Sequence, residues 1–141
     1  MIVYLDTSLA VAALTDETAT ERVQGWLAAR EAGTLAISAW VRTEFASALS
    51  VKLRTGQIGF ADRNAAWAAF ARVQADNLLM LPIRAPAFGV AAGFAAQHML
   101  GLRAGDALHL AICADHGVTL CTLDRRMADA GPAVGVAARL V

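Results

Sequence analysis

Apolar residues recur with two different periods along the chain, and the switches between them mark out the elements. Ile2 to Leu5 is an unbroken apolar run ending at an acid, as suits a buried strand of a parallel sheet. Thr7 to Leu14 and Thr18 to Ala32 take up helical spacing, the second with Val23, Trp26 and Leu27 on one face. Gly33 then occupies the position past a helix end that favours glycine. Leu35 to Ser38 reads as a second strand, followed by a long helix from about Trp40 to Arg54 closed by Gly56. Phe60 to Asn77 is helical again, with Trp67, Phe70 and Val73 at three-residue steps. Leu78 to Ile83 is a third strand, and Pro86 opens a helix to about Met99 at a position where proline is welcome. Asp106 to His116 forms another helix, Thr119 to Thr122 a fourth strand, Arg125 to Ala130 a short helix, and Val134 to Val141 a candidate fifth strand. This alternation predicts a three-layer α/β/α fold around a parallel sheet of four to five strands. No linker or repeat interrupts it, so residues 1–141 are expected to form one domain.

Composition changes this picture in one respect. Hydrophobic residues make up 57% of the chain and charged residues 17%, against roughly 25% charged in an average domain. The excess is mostly alanine. So few charges suggest that some apolar surface is covered by a partner or by a second copy in a homodimer. Lys+Arg and Asp+Glu both number 12, so global charge exerts no pull toward nucleic acid or membrane. That disfavours a protein that simply coats nucleic acid, but not an enzyme that cuts it. Cys113 and Cys121 sit in apolar segments without metal-ligand spacing and read as reduced core thiols of a cytoplasmic protein. The start, MIVYLD, lacks the basic region of a signal peptide. The uncharged stretch from Ala85 to Leu102 contains Pro86, Gln97, His98 and three glycines, and reads as a buried amphipathic helix, not a membrane span.

The acids carry the chemistry. Ligands of open parallel sheets bind beyond the carboxyl ends of the strands, where helix N-termini also lie. Asp6 follows the first strand directly, Asp124 lies two residues past the fourth, and Asp106 opens a helix. Glu44 falls between Val41 and Ala48 at helical spacing, so it borders the core, and a half-buried carboxylate needs a partner such as a metal ion. Taken singly, Asp6 and Asp124 could be helix caps, Asp106 a complement to a helix dipole and Glu44 a surface acid. Local roles do not explain why all four fall on one rim. Two carboxylates about 4 Å apart repel by about 4 kcal/mol at an effective dielectric near 20, so such a cluster calls for a cation or for raised pKa values. An all-oxygen set suits Mg²⁺ or Mn²⁺, which can activate a water as nucleophile and stabilise charge on a phosphate. Thr7, Ser8 and Thr122 share the rim and could hold a metal-bound water or a phosphate oxygen, or make local cap bonds.

Four segments carry a resemblance. YLDTSLAVAAL, SAWVRTEFASAL, LRAGDALHLAICADHG and LCTLDRRMADA resemble the signature segments of PIN-domain nucleases, and most of all the VapC toxins of type II toxin–antitoxin modules, over residues 2 to about 130. The resemblance implies a PIN-like, Rossmann-like fold with Asp6, Glu44 and Asp106 as core metal ligands and Asp124 as a more variable fourth. It implies an Mg²⁺- or Mn²⁺-dependent endoribonuclease that cuts structured RNA, forms a homodimer, and is neutralised by a cognate antitoxin threading a peptide along the groove near the site. Thr7 or Ser8, and Thr122, match the polar residues around such a site. His109, inside DALHLA, reads as a packing residue in preference to a general base. Arg103, one turn before Asp106, could balance charge or touch substrate; Arg125 and Arg126 are candidate phosphate contacts. Trp26, Trp40 and Trp67 read as core or interface residues.

Two other readings use the same residues. A haloacid-dehalogenase-like phosphatase also has an aspartate after its first strand, but wants a second acid where this chain has Ser8. A non-catalytic partner-binding module could use the acids to hold a structural ion or a basic peptide.

Overall fold

Three apolar residues in a row, with no charge to solvate, make Val3–Leu5 a strand that is buried throughout (β1). The computed structural model describes all of residues 1–141. After β1 come helices Thr7–Leu14 (α1) and Thr20–Ala28 (α2), strand Leu35–Ile37 (β2), and helices Ala39–Arg54 (α3) and Phe60–Asn77 (α4). Strand Leu79–Met80 (β3), helix Pro86–Ala96 (α5) and a short 3-10 turn His98–Leu100 follow. Helix Ala104–His116 (α6), strand Thr119–Thr122 (β4), helix Arg125–Ala133 (α7) and strand Ala138–Leu140 (β5) complete the chain. All five strands are parallel, in the order β3-β2-β1-β4-β5.

Alternate residues of a strand face opposite sides of the sheet. Leu5, Leu35 and Ile37 face α1, α2 and α4 across an apolar groove, while Tyr4 faces α6, against which α5 packs. The sheet is therefore the middle of three layers, as the alternating pattern predicts. Phe45 of α3 stacks on Phe70 of α4 with ring centroids 4.6 Å apart, and Trp67 closes the cluster at 6.0 Å from Phe70. Trp67 thus packs against the core as expected. Cys113 and Cys121 are buried free thiols, and burial pushes the Cys121 thiol up to about 11.

Several boundaries differ from the sequence reading. The second helix stops at Ala28, not Ala32, so Gly33 does not cap it. Arg30 folds back over the Trp26 ring, 4.5 Å from its centroid, and Gly33 uses its positive φ of 79° in the turn into β2. The third strand is two residues, not six, because it lies at the sheet edge with one neighbour and Pro82 has no N–H to continue the ladder. The helix from Pro86 ends at Ala96, and a separate turn follows, capped by Gly101 at φ 65°. Only Ala87 and Ala91 of α5 are buried; Phe88 and Val90 are exposed, so this uncharged helix is not the buried one expected. The last helix extends three residues beyond Ala130. No helix is long and apolar enough to cross a membrane.

Candidate active site

The strand order reverses between β1 and β4: β2 and β3 lie on one side and β5 on the other, which opens a crevice beyond the carboxyl ends of these two strands. Asp6 is the first residue past β1 and is 2% exposed. Its N–H donates to Cys121 O at 3.1 Å, tying it to β4. The Asp6 carboxylate does cap α1, accepting from Leu9 N at 3.4 Å, but shorter bonds come from hydroxyls. Ser8 Oγ donates to Oδ1 at 2.5 Å and Thr122 Oγ1 donates to Oδ2 at 2.6 Å, the latter from 116 residues away. Those hydroxyls are held in turn: Leu123 N donates to Ser8 Oγ at 3.0 Å and Asp124 N to Thr122 Oγ1 at 2.9 Å. Burial raises the Asp6 carboxyl above its ordinary range, although the two hydroxyls and the charge of His109 pull the other way.

Glu44 reaches the rim because its helix is rolled by its neighbours. Val41 and Phe45 are fully buried, which leaves Glu44 half-buried on the flank that faces the start of α6. Thr7 Oγ1 donates to Glu44 Oε1 at 2.6 Å, and His109 Nε2 is hydrogen-bonded to the same oxygen. Burial raises the Glu44 carboxyl, but the bond and charge of His109 with the bond from Thr7 outweigh it and hold the group below its ordinary value. The other oxygen, Oε2, lies against Gly105: a Cβ there would sit 2.7 Å from Oε2 and 3.3 Å from Trp40 Nε1. The Trp40 indole N–H is buried beside this carboxylate without an acceptor.

Asp106 and Asp124 each turn one oxygen to a helix start. Arg103 N donates to Asp106 Oδ2 at 3.2 Å, while Arg126 N and Met127 N donate to Asp124 Oδ1 at 2.9 and 3.4 Å. The helix-start roles therefore exist, and they engage one oxygen per acid. Asp106 Oδ1, Asp124 Oδ2 and Glu44 Oε2 accept no hydrogen bond from the protein. Burial raises the Asp106 carboxyl, and the negative charges of Asp124 and Glu44 push it further. Asp106 thus feels acids from two other segments of chain, Glu44 and Asp124.

No three His, Cys, Asp or Glu side chains converge closely enough to form a finished metal-ligand set. Thr7 and His109 hold one oxygen of Glu44, and hydroxyls hold both oxygens of Asp6. The donor chemistry nevertheless fits a hard divalent cation. It offers carboxylate oxygens with an unengaged atom on each outer acid, and a like-charge repulsion that a cation would relieve.

All three hydroxyls anticipated on the rim donate to its acids, Thr7 to Glu44 and Ser8 and Thr122 to Asp6. The Arg103 side chain is exposed, and Arg126 lies along Gly101, its Nη1 donating to Gly101 O at 3.4 Å. What the sequence did not disclose is that His109 bonds to Glu44. The two residues lie 65 positions apart, on different helices.

Comparison with known proteins identifies the fold and the family. The family model for the PIN domain matches residues 3–131. No match is found among curated proteins. Among solved structures, Mycobacterium tuberculosis VapC20, described as a sarcin-ricin loop cleaving toxin, is similar with a TM-score of 0.75 at 18% identity, over 92% of this chain and 95% of that one. FitAcB from Neisseria gonorrhoeae gives 0.69 at 20% identity, over 97% and 96%. VapBC-5 of M. tuberculosis, described as a member of the VapBC family of toxin–antitoxin systems, gives 0.63 at 17% identity, over 99% and 98%. At these identities the structures speak to the fold, whereas the family model spans nearly the whole chain, and the chain therefore belongs to the PIN domain family.

Proposed function

We propose that this chain is a metal-dependent endoribonuclease and the toxin component of a toxin–antitoxin module. The observation that carries the reading is that Asp106 stands under the charges of Asp124 and Glu44, while Glu44 is bonded by Thr7, the chain neighbour of Asp6. Mg²⁺ or Mn²⁺ held there would neutralise charge on a phosphate and acidify the attacking water. Asp6 is the fixed member of the set, locked by Ser8 and Thr122, while Glu44, Asp106 and Asp124 offer their unengaged oxygens. An open depression of about 670 Å³, lined by Gly101, Arg125 and Arg126 with Asp129 as its one acid, offers two guanidinium groups to the phosphates that flank a scissile bond. Arg103 stands on the same rim, one turn before Asp106.

The antitoxin is supported by the company the fold keeps and by the groove of about 490 Å³ among α1, α2 and α4. Leu5 and Ile37 bring that groove to within one residue of Asp6 and Ser38. Arg30, whose buried Nε–H has no partner, lies on its wall and would donate to an acidic residue of a bound peptide. A second copy covering Phe88 and Val90 of α5 accounts for a helix that carries no charge yet stands exposed.

The test is purified protein with structured RNA, with and without Mg²⁺ or Mn²⁺, beside Asp106→Asn. Cleavage that needs the metal, leaves 5′-phosphate and 3′-hydroxyl ends and disappears in the variant is the expected result. Folded wild-type protein that leaves RNA intact in both metals overturns it.

A further inference from the structure

Three buried polar side chains take no part in the chemistry above, yet they form one line that ends on Glu44. Tyr4, Ser38 and His109 are 0%, 0% and 1% exposed. Tyr4 Oη lies 2.8 Å from Ser38 Oγ and 2.8 Å from His109 Nδ1. The other ring nitrogen, Nε2, meets Glu44 Oε1, with Thr7 Oγ1 3.5 Å away. Polar groups buried this deeply cost free energy unless each is paired, and phenylalanine and leucine would fill the same volume without that requirement.

The donors and acceptors are compatible along the whole line. An ionised carboxylate only accepts, so Nε2 carries the proton that faces Glu44. Tyr4 Oη bridges Nδ1 and Ser38 Oγ, donating to one and accepting from the other. No donor faces a donor anywhere along the line. Its inner end is fixed, because Tyr4 belongs to β1, which pairs with a strand on each side. Its outer end reaches a half-buried glutamate on another helix, a side chain free to take several rotamers if nothing holds it.

We infer that Ser38, Tyr4 and His109 form a rigid hydrogen-bonded support that aims the Glu44 carboxylate into the crevice, which makes His109 a positioning residue and not merely a packing one. The inference rests on the reading of Glu44 as a cation ligand. Hydrogen-bonded partners of metal ligands typically set affinity by about 10–100-fold.

Mn²⁺ calorimetry on the folded full-length chain tests it, with Asp106→Asn as the reference for a lost site. His109→Leu is expected to weaken Mn²⁺ binding by about 10–100-fold, and His109→Gln, whose amide can still donate to Oε1, to restore most of it. Tyr4→Phe, which keeps the ring and removes only the hydroxyl, is expected to weaken binding several-fold and leave KM for RNA unchanged. Nitrogen NMR of the metal-free protein should find a proton on His109 Nε2, facing Glu44, and an Nε2 without one would overturn the inference. Wild-type affinity in Tyr4→Phe and in folded His109→Leu overturns the inference while leaving the cation reading intact. If His109→Leu does not fold, Tyr4→Phe decides alone. A wild-type chain that binds no Mn²⁺ overturns the cation reading, and this inference falls with it.

Discussion

Asp6 and Asp124 both follow strands that lie side by side and both cap a helix, but the two halves of the site they represent are built differently. The inner half is a closed set. Asp6 is buried, and the hydroxyls of Ser8 and Thr122 that hold it are themselves held by backbone N–H groups. The outer half is open, with Asp106, Asp124 and Glu44 each presenting an oxygen that nothing in the protein occupies. On the proposed reading, the contrast separates an acid bonded into the fold from acids that keep one oxygen for a ligand. Substitutions in the outer half should cost function and leave the fold, whereas substitutions in the inner half should cost both.

The largest effect is expected at Asp106. Asp106→Asn should lower RNA cleavage by at least about 10³-fold, the loss of roughly 4 kcal/mol of charge stabilisation in the transition state, while circular dichroism stays native. A variant that cleaves within tenfold of wild type would remove the outer half from the chemistry. Next, Mg²⁺ or Mn²⁺ at a hundredfold its Kd should stabilise the wild-type chain by about 2.7 kcal/mol, read as a rise in Tm that Asp106→Asn abolishes.

Thr122→Val probes the inner half. It removes the donor to a buried carboxylate and the acceptor for Asp124 N, and should cost about 2 kcal/mol in urea denaturation. A midpoint equal to that of wild type would make the two halves alike.

Titration of the metal-free protein sharpens the comparison further. The carboxyls of Asp6 and Asp106 lie above their ordinary values in the folded state, so the stability they contribute is fully present below those values and is lost as pH rises through the folded ones. Glu44, held below its ordinary value, contributes stability at higher pH that is lost as pH falls through its folded one. Stability should therefore rise as pH is lowered from neutral into the range just above ordinary carboxylates, then fall in stronger acid. Asp106→Asn should flatten the rise. The smallest effect is expected far from both halves, at Phe88. Phe88→Ser should change monomer stability by less than about 0.5 kcal/mol, while sedimentation reports whether two copies separate.

Much of this was legible in the sequence for physical reasons. Asp6 and Asp124 stand at the ends of apolar runs, and Glu44 shares a helix face with Val41, so periodicity alone places them at a rim. β3 was overextended because Leu78 to Ile83 is apolar enough for a buried strand, and periodicity does not reveal that the segment lies at an edge. The end of α2 was misplaced because alanines at 28, 29 and 32 continue a helical composition after the apolar contacts of Leu27 are over. The exposure of α5 was hidden by the same ambiguity, since an uncharged helix reads as buried whether a core or another molecule covers it. The bond from His109 to Glu44 joins residues 65 positions apart, and no spacing rule reaches that far.

Gly105 sets a condition that reaches beyond the site. A methyl group at this position would press on Glu44 Oε2 and only lightly on the Trp40 ring, so the scaffold would absorb it by swinging the glutamate out of its bonds to Thr7 and His109. Alanine at 105 should therefore yield a well-folded chain disarmed without the loss of a single acid. On the function proposed above, cells would tolerate that form in quantity, and its intact surface would serve to capture the proposed restraining partner.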